Sequence, residues 1–305
     1  MKLLDVPDHA RHANMRLVLP LLVWGAWRLT RAQLSVQALN CLIHQCVELG
    51  ITAFDHADIY GGYTAEAQFG QALALSPGLR AQLQLFTKCG VAAVSAARPA
   101  HQVKTFNSSA DHLAACMDHS LTALGTEQLD LLMLHRPDYL MDAAETAQAL
   151  DRAVASGKVR AVGVSNFSPS QVLLLRQHLQ TPLAVNQIEF SLGAMQALDN
   201  GVLDQCQQLG MRPMAWSPLA GGAVLGDNDL ARRLNPVLTH IAQVQACPPA
   251  AVALAWLMRC PTRVVPVLGS VRIERLRDAW RATQITLSRE DWYTLWAAAA
   301  GRQLP

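Results

Sequence analysis

Four residues of types that can hold or move a proton follow three strand-like runs of the sequence. Asp55 and Tyr60 lie in the stretch Phe54-Asp55-His56-Ala57-Asp58-Ile59-Tyr60-Gly61, Lys88 ends the run Leu85-Phe86-Thr87-Lys88, and His135 ends Leu131-Leu132-Met133-Leu134-His135. The carboxyl ends of parallel strands meet at one end of a barrel, where such folds build their active sites. We therefore expect these four side chains to lie close together.

Together, the four residues fit the reduction of a carbonyl group. A free tyrosine holds its proton at neutral pH and is a poor acid, but an adjacent ammonium lowers the pKa of its phenol. A carboxylate paired with the lysine keeps that ammonium charged, and the phenol can then protonate a carbonyl oxygen. A histidine N–H would help to hold the same oxygen. Alone, each residue is more often structural, so the prediction depends on their joint placement at three strand ends.

Eight strand-like segments alternate with helical ones, without a linker or a low-complexity break. The first strand is predicted within residues 15–27, and the next seven are predicted to end at Asp55, Lys88, His135, Val164, Ile188, Trp216 and Leu268. The fifth is predicted to begin at Val159 and the eighth at Arg263. Helices are predicted to begin at hydroxyl caps, namely Thr64, Ser109, Ser168 and Ser288.

This alternation favours a parallel sheet with helical crossovers, and eight units in 305 residues match a single (β/α)8 TIM barrel over 1–305. A doubly wound open sheet is the alternative. It is disfavoured because no G-x-G-x-x-G follows the first strand.

The composition excludes several classes of function. With 51% hydrophobic and 16% charged residues the chain can bury a large core, and a net charge of +2 with scattered Lys and Arg argues against nucleic-acid binding. Seven cysteines without a C-x-x-C pair are typical of free thiols in a reducing compartment, which predicts a cytoplasmic protein. The apolar run 15–27 resembles a signal peptide, but it is too short to span a bilayer and contains Pro20. We expect it to form a barrel strand and not a membrane segment.

Beyond these four residues, the sequence resembles the aldo-keto reductase family, and most closely its bacterial members labelled predicted oxidoreductases. The resemblance is spread over nearly the whole chain, in family order, and includes the stretches Phe54 to Gly61, Thr87 to Gly90, Leu129 to Pro137 (LDLLMLHRP), Gly157 to Phe167 (GKVRAVGVSNF), Val185 to Ser191 (VNQIEFS), Met214 to Leu219 (MAWSPL) and Pro266 to Leu276 (PVLGSVRIERL). It implies a (β/α)8 barrel that reduces aldehydes or ketones reversibly with NADPH.

The resemblance also implies residue roles. Tyr60 matches the general acid/base, Lys88 and Asp55 the pair that lowers its pKa, and His135 the group that orients the carbonyl. The positions that match nicotinamide and pyrophosphate contacts are Ser165, Asn166 and Gln187 for the carboxamide, Trp216 for the stacked ring, and Ser217 and Leu219 for the pyrophosphate. Gly25, Trp27 and Arg28 match the end of strand one, which borders the substrate and the cofactor. Gly269, Ser270, Arg272 and Arg275 match the site of the 2′-phosphate. The two arginines after strand eight favour NADPH over NADH. Asp278-Ala279 stand where many members have a Glu-Asn pair, so the adenine contacts stay open.

Three other interpretations compete with carbonyl reduction. Lys88 could form a Schiff base, as in aldolases, or the barrel could bind a cofactor for regulation without turnover. His56 and Asp58 could begin a metal site, but further ligands are not evident, so we predict no metal. The partner expected is a small carbonyl compound, and the oligomeric state stays open. Loops 91–107 and 220–228, where family members vary most, are expected to shape the substrate pocket.

Overall fold

Eight parallel strands close into a barrel. The structure, a computed structural model, describes residues 17–303. Each strand pairs with its neighbours in chain order, and the first closes the ring against the last. The strands are β1 (Val23–Gly25), β2 (Ala53–Asp55), β3 (Gln84–Cys89), β4 (Leu131–Leu134), β5 (Val162–Ser165), β6 (Leu183–Glu189), β7 (Arg212–Trp216) and β8 (Val265–Leu268). The predicted TIM barrel is confirmed. Residues 1–16 and 304–305, part of the predicted domain 1–305, lie outside the described residues.

The interior of the barrel determines which side chains reach its mouth. Side chains along a strand point alternately to its two faces. The interior layer takes one buried residue from each of five strands, namely Ala53, Phe86, Met133, Val185 and Met214. Two residues further along the chain, and so on the same face, lie Asp55, Lys88, His135, Gln187 and Trp216. The alternation of side chains along each strand therefore brings residues from five strands to one end of the barrel.

Helices cover the outer face of the barrel and bury the second, larger part of the core. Trp24 of β1 packs against Phe54 of β2 and Phe69, with ring centroids 5.8 and 6.2 Å away. The helices are α1 (Val36–Glu48), α2 (Ala65–Ala74), α3 (Ala110–Leu124), α4 (Ala143–Ala155), α5 (Pro169–Arg176), α6 (Val202–Leu209), α7 (Asp229–Val244), α8 (Pro249–Met258), α9 (Ile273–Trp280) and α10 (Arg289–Ala300). This outer layer holds the strands whose ends form the mouth.

The predicted ends of the second to eighth strands lie within one residue of the observed ends, whereas two predicted starts were too early. Val159, predicted to begin the fifth strand, makes only an isolated bridge to Leu129. Arg263, predicted to begin the eighth, has φ of 53° and closes a turn by donating its backbone N–H to Cys260 O. Local turn geometry therefore delays both strands.

Two of the four predicted helix caps are confirmed. Ser168 forms a capping box with Gln171, and Ser288 accepts from the backbone N–H of Asp291. Thr64 and Ser109 stand at the predicted N-cap positions of α2 and α3, so the helix starts are confirmed, but neither side chain makes the expected cap hydrogen bond. The Thr64 hydroxyl donates instead to a backbone carbonyl, Gly61 O, over 2.8 Å.

At the start of α3 a side chain from the next helix binds the first backbone N–H. Glu145 Oε1 of α4 accepts from the backbone N–H of Ala110 over 2.8 Å. This N–H belongs to the first turn, where backbone donors lack partners within the helix. The tertiary contact satisfies the first N–H of the helix, which is not one of the N–H groups that a Ser109 cap would bind.

The long connection after β3 is more ordered than the predicted loop. Val91–Ala92 and Thr105–Phe106 pair as a short antiparallel ribbon, with Val91 opposite Phe106. We call residues 91–106 the ribbon loop. It leaves the barrel at the carboxyl end of β3, beside Lys88, and therefore lies at the same end of the barrel as the predicted site.

The apolar run at 15–27 contributes the first barrel strand, β1, as predicted; residues 15 and 16 lie outside the described residues. Between residues 17 and 303 no single helix is long and apolar enough to cross a membrane. The pair α7 and α8, bent by 92°, meets the length and composition criteria only when both helices are taken together.

Candidate active site

The turn that carries Tyr60 follows β2 and is shaped by backbone in the left-handed region. Gly61 and Gly62 have φ of 60° and 66°, and Tyr63 has φ of 73°. A side chain at Gly61 would collide with Thr30, so glycine is needed both for its conformation and for this close approach. The tight turn directs Tyr60 back over the mouth of the barrel.

The Lys88 ammonium connects the predicted catalytic residues. Its Nζ lies 2.7 Å from Asp55 Oδ2 and 3.2 Å from Tyr60 Oη. A third contact, of 2.8 Å, runs to the backbone carbonyl of His56. The lysine side chain is fully buried, and an uncompensated charge would be very unfavourable at such a place. The predicted proximity of Asp55, Tyr60 and Lys88 is thus present in the structure.

The surroundings of Lys88 favour its charged form. Burial alone would lower its pKa, but the Asp55 carboxylate and the Tyr60 phenol outweigh burial, and the pKa of Lys88 is raised. Burial also raises the pKa of Asp55, while the lysine charge and hydrogen bonds from Lys88 and Gln187 oppose this rise. Since the lysine keeps its proton and lies 2.7 Å away, we assign the two groups as an ion pair.

The pKa of Tyr60 differs from the sequence-based expectation. Burial raises it, and this effect exceeds the lowering by the neighbouring Lys88 ammonium. The expected contribution of the lysine is therefore present, but the phenol is not made acidic overall in this structure. The sequence could not reveal this outcome because the extent of burial depends on the closed barrel.

His135 completes the group predicted to be catalytic. Its ring centroid lies 5.8 Å from that of Tyr60, with the rings at 79°, and its backbone N–H donates to Cys89 O over 2.8 Å. Burial is the main cause that lowers the pKa of His135 well below its usual value, and the charges of Lys88, Arg136 and Lys104 add to it. The imidazole is therefore neutral at physiological pH, with one ring nitrogen carrying a proton.

A chain of polar side chains runs from Asp55 across the mouth to Trp216. Gln187 Nε2 donates to Asp55 Oδ1 over 3.1 Å, and the Ser165 hydroxyl donates to Gln187 O over 2.9 Å. Asn166 Nδ2 donates to Ser165 Oγ over 2.8 Å, and Trp216 Nε1 donates to Asn166 Oδ1 over 3.0 Å. The residues expected at the nicotinamide are thus together, and each already has a protein partner.

The remaining predicted contacts surround this centre. Gly25 ends β1 and is buried, whereas Trp27 is 54% exposed, with the Arg28 guanidinium carbon 5.6 Å from its ring centroid. Ser217, with φ of 49°, begins the turn after β7, and Leu219 packs against the outer core. These positions lie where the chain leaves the barrel at its carboxyl end.

The turn after β8 is joined to β1 and leads into α9. Trp24 Nε1 donates to Ser270 O over 2.8 Å, and the Ser270 hydroxyl accepts from the backbone N–H of Arg272 over 3.1 Å. Arg272 is the residue before α9, and Arg275 lies in its first turn. Both side chains are exposed, and neither makes an ion pair with another described residue.

The donors and surfaces at this mouth fit a dinucleotide. The hydrogen bond from Trp216 to Asn166 holds the half-buried indole in one orientation, so that it could support a flat ring beside Tyr60. Unpaired arginines and the free N–H groups at the start of α9 suit a phosphate, and Gly269 leaves the approach open. A cofactor lying from Trp216 to Arg272 would use most of the predicted contacts.

His56 and Asp58, the two residues considered as the start of a metal site, differ in their side-chain contacts. Asp58 Oδ1 accepts from the backbone N–H of Ile59 over 2.7 Å and so shapes the Tyr60 turn. The His56 ring is fully buried against Phe69, and neither of its nitrogens has a described partner. From residue 17 to residue 303, no group of three or more His, Cys, Asp or Glu is arranged to hold a metal ion.

Two residues of the site were not predicted. The hydroxyl of Tyr63 accepts from the backbone N–H of Ala93 over 2.8 Å and so ties the Tyr60 turn to the ribbon loop. The guanidinium carbon of Arg136 lies 5.8 Å from the ring centroid of Trp216. In the sequence, Tyr63 follows a pair of glycines and Arg136 directly follows His135. Neither the residue type nor its spacing predicts the contact that each makes.

Known proteins and one family model match this chain over nearly its whole length. The sequence model described as "Aldo/keto reductase family" matches residues 21–300. A 6-dehydroglucose reductase of Agrobacterium fabrum is 42% identical over 95% of this chain and 97% of its own length. The oxidoreductase YdhF of Escherichia coli is 43% identical over 93% of this chain and 94% of its own. The crystal structure of an aldo/keto reductase from Klebsiella pneumoniae with NADP and acetate has a TM-score of 0.75 and 27% identity, covering 91% of this chain and 90% of that one.

Proposed function

Because this chain belongs to the aldo/keto reductase family, we propose that it reduces an aldehyde or ketone to the alcohol with NADPH, reversibly, and that Tyr60 donates the proton. The single observation that carries this proposal is the position of Lys88 Nζ. It lies within 3.2 Å of Tyr60 Oη and 2.7 Å of Asp55 Oδ2 at the mouth of the barrel.

The proton step uses the side chains that surround Lys88. Bound NADPH supplies the hydride that makes the new C–H bond. The electron pair of the C=O bond moves to the carbonyl oxygen, which takes the proton of Tyr60 Oη. The Lys88 ammonium stabilises the phenolate that remains, and Asp55 keeps the ammonium in place. In the direction of alcohol oxidation, the phenolate accepts the proton back.

Neutral His135 would hold the carbonyl oxygen beside Tyr60. Burial and three nearby cations keep the imidazole uncharged, so it could donate one N–H hydrogen bond without adding a charge. The T-shaped arrangement of the two rings places His135 on the side of the phenol. This would fix the substrate carbonyl between two donors.

The residues proposed to bind the cofactor are those around the mouth. Trp216 would stack on the nicotinamide, and Ser165, Asn166 and Gln187 would bind its carboxamide. For Asn166 and Gln187 this requires an exchange of at least part of their present hydrogen bonds, to Trp216 and Asp55. The pyrophosphate would lie against Ser217 and Leu219. The 2′-phosphate would lie against Gly269, Ser270, Arg272 and Arg275. Gly25 and Trp27 would border the nicotinamide ring.

The buried ion pair argues against the aldolase alternative. A lysine attacks a carbonyl carbon only as the neutral amine. The pKa of Lys88 is raised by Asp55 and Tyr60 despite its burial, so the amine would be scarce at neutral pH. Borohydride trapping of a carbonyl substrate on Lys88 would contradict this conclusion.

The proposal is tested with purified protein, NADPH and a panel of aldehydes and ketones. The panel should include 6-dehydroglucose, because the Agrobacterium relative is named a 6-dehydroglucose reductase. We expect oxidation of NADPH by the wild type and loss of turnover in Tyr60→Phe. Tyr293→Phe on α10, a tyrosine far from the mouth, is the matched control and should keep its activity.

Binding of NADPH, measured by quenching of tryptophan fluorescence, separates chemistry from folding. Tyr60→Phe should bind the cofactor like the wild type. Full activity of this variant would show that the proton has another source. Tight NADPH binding by the wild type without turnover of any carbonyl would favour the regulatory alternative.

A further inference from the structure

An exposed cation lies directly beside the proposed catalytic histidine. Arg136 follows His135 in the chain, and its guanidinium carbon lies 5.8 Å from the ring centroid of Trp216. Within residues 17–303 its side chain makes no hydrogen bond or ion pair. The guanidinium is therefore available to a ligand at the mouth of the barrel.

Lys104 of the ribbon loop is a second cation at this end of the barrel. It is exposed and precedes the short strand Thr105–Phe106. Its charge contributes, with those of Lys88 and Arg136, to lowering the pKa of His135. Lys104 has no ion-pair partner in the described part of the chain.

The ribbon loop is fixed to the turn that carries Tyr60, so that the position of Lys104 is defined. Ala93 N donates to Tyr63 Oη over 2.8 Å, and the Ser95 hydroxyl donates to Gly62 O over 3.1 Å. Ala92, directly before Ala93, pairs with Thr105, directly after Lys104, so the backbone at Lys104 is held relative to the Tyr60 turn.

The carboxylates beside Lys88 and just after Arg136 already have partners. Asp55 is paired with Lys88 at 2.7 Å. Asp138, two residues after Arg136, accepts from the backbone N–H and the hydroxyl of Ser108 over 2.9 and 3.0 Å. Arg136, directly after His135, and Lys104, on the ribbon loop, therefore have no protein counter-ion in the described part of the chain, and their field attracts anions to this end of the barrel.

Building on the proposed function, we propose that the physiological substrate is a carbonyl compound with a carboxylate, which Arg136 and Lys104 bind while the carbonyl oxygen lies at Tyr60 and His135. Guanidinium–carboxylate hydrogen bonds are stronger than neutral ones and are often bidentate. They would orient the carbonyl as well as increase affinity. A neutral aldehyde of the same shape would leave both cations without a partner.

The test compares two compounds that differ in one charge, 4-oxobutanoate and its methyl ester. Both carry the same aldehyde on the same chain. We expect kcat/KM of the wild type to be about tenfold or more higher for the acid at low ionic strength, and this preference to shrink in salt. In Lys104→Gln/Arg136→Gln the ratio should approach one, through a higher KM for the acid. Arg176→Gln, an exposed arginine at the end of α5, controls for net charge and should retain the preference.

A second readout does not depend on turnover. Glutarate should inhibit reduction of the methyl ester by the wild type, competitively with the ester, and should lose this effect in the double variant.

The outcomes separate this inference from the proposed function. Equal kcat/KM for the acid and the ester in the wild type would overturn the inference while leaving carbonyl reduction intact. A higher KM for NADPH in Arg136→Gln, with an unchanged acid-to-ester ratio, would likewise overturn it and assign the arginine to the cofactor. Failure to reduce any carbonyl would contradict the proposed function itself.

Discussion

Gln187 and Asp55 are 132 positions apart in the chain, yet Gln187 Nε2 donates a hydrogen bond to Asp55 Oδ1 over 3.1 Å. The two residues lie at the ends of β6 and β2, which are not neighbours in the barrel. The bond crosses the mouth and holds the carboxylate that anchors Lys88. The position of Lys88 beside Tyr60 therefore depends on Gln187, although β6 pairs neither with β3, which carries Lys88, nor with β2, which precedes Tyr60.

We expect Gln187→Leu to weaken both stability and catalysis. The substitution leaves Asp55 Oδ1 buried without this donor, at about 1–3 kcal/mol. It should also lower kcat roughly tenfold to a hundredfold, because Lys88 is then less well positioned. Urea denaturation and steady-state kinetics measure the two effects.

Gln205→Leu provides the matched control for this variant. Gln205 Nε2, on α6, also makes a single hydrogen bond, to Pro169 O over 2.8 Å, but this bond is part-buried and joins two outer helices. It should lose stability with little change in kcat. An equal loss of kcat in both variants would mean that Gln187 acts only through global stability.

Removing only Lys88 from the Asp55–Lys88 ion pair should lower the free energy of unfolding more than replacing both residues. Lys88→Met leaves the Asp55 carboxylate buried and unpaired, and should destabilise the protein by about 3–5 kcal/mol. Asp55→Asn together with Lys88→Met should recover most of this loss but no activity, because nothing then stabilises the Tyr60 phenolate. Unfolding free energies from urea titrations test the order, and a double variant no more stable than Lys88→Met would contradict it.

Asp58 predicts a pH dependence of stability. Burial is the main cause that raises its pKa from 3.8 to about 7 in the folded protein. The folded state therefore binds this proton more tightly than the unfolded state. The resulting stabilisation is complete below pH 3.8 and is lost as the pH rises to about 7, at up to about 1.4 kcal/mol per pH unit.

Asp58→Asn removes this titration and should gain stability relative to the wild type between pH 4.5 and pH 8. The measurement is urea denaturation of both proteins at the two pH values. Asp111→Asn, at an exposed aspartate in the first turn of α3, should follow the wild type. A constant difference between Asp58→Asn and the wild type would show that Asp58 titrates near its ordinary value when folded.

The arginines after β8 predict the choice of cofactor. Arg272→Gln/Arg275→Gln should raise KM for NADPH about tenfold and leave KM for NADH nearly unchanged, since only NADPH carries the 2′-phosphate. Arg277→Gln, at an exposed arginine in the last turn of the same helix, should change neither value. Equal increases for both cofactors would place the two arginines at the pyrophosphate instead.

Much of the barrel was predictable because the sequence features that mark its strands lie within a few residues of each other. Strand ends were located to within one residue from short apolar runs that break into polar or glycine-rich turns. Helix caps were less predictable, because a hydroxyl at the right position competes with other partners. The Thr64 hydroxyl donates to Gly61 O instead, and Ser109 makes no cap hydrogen bond although it stands at the N-cap position of α3.

The sequence by itself determined the barrel and which residue types stand at its carboxyl end, since both follow from the order of the strands and their two-residue alternation. Tertiary structure alone decided the contacts between strands, such as that of Gln187 with Asp55, because they depend on closure of the ring. It also decided the pKa of Tyr60, because the burial that outweighs the charge of Lys88 comes from segments far apart in the chain.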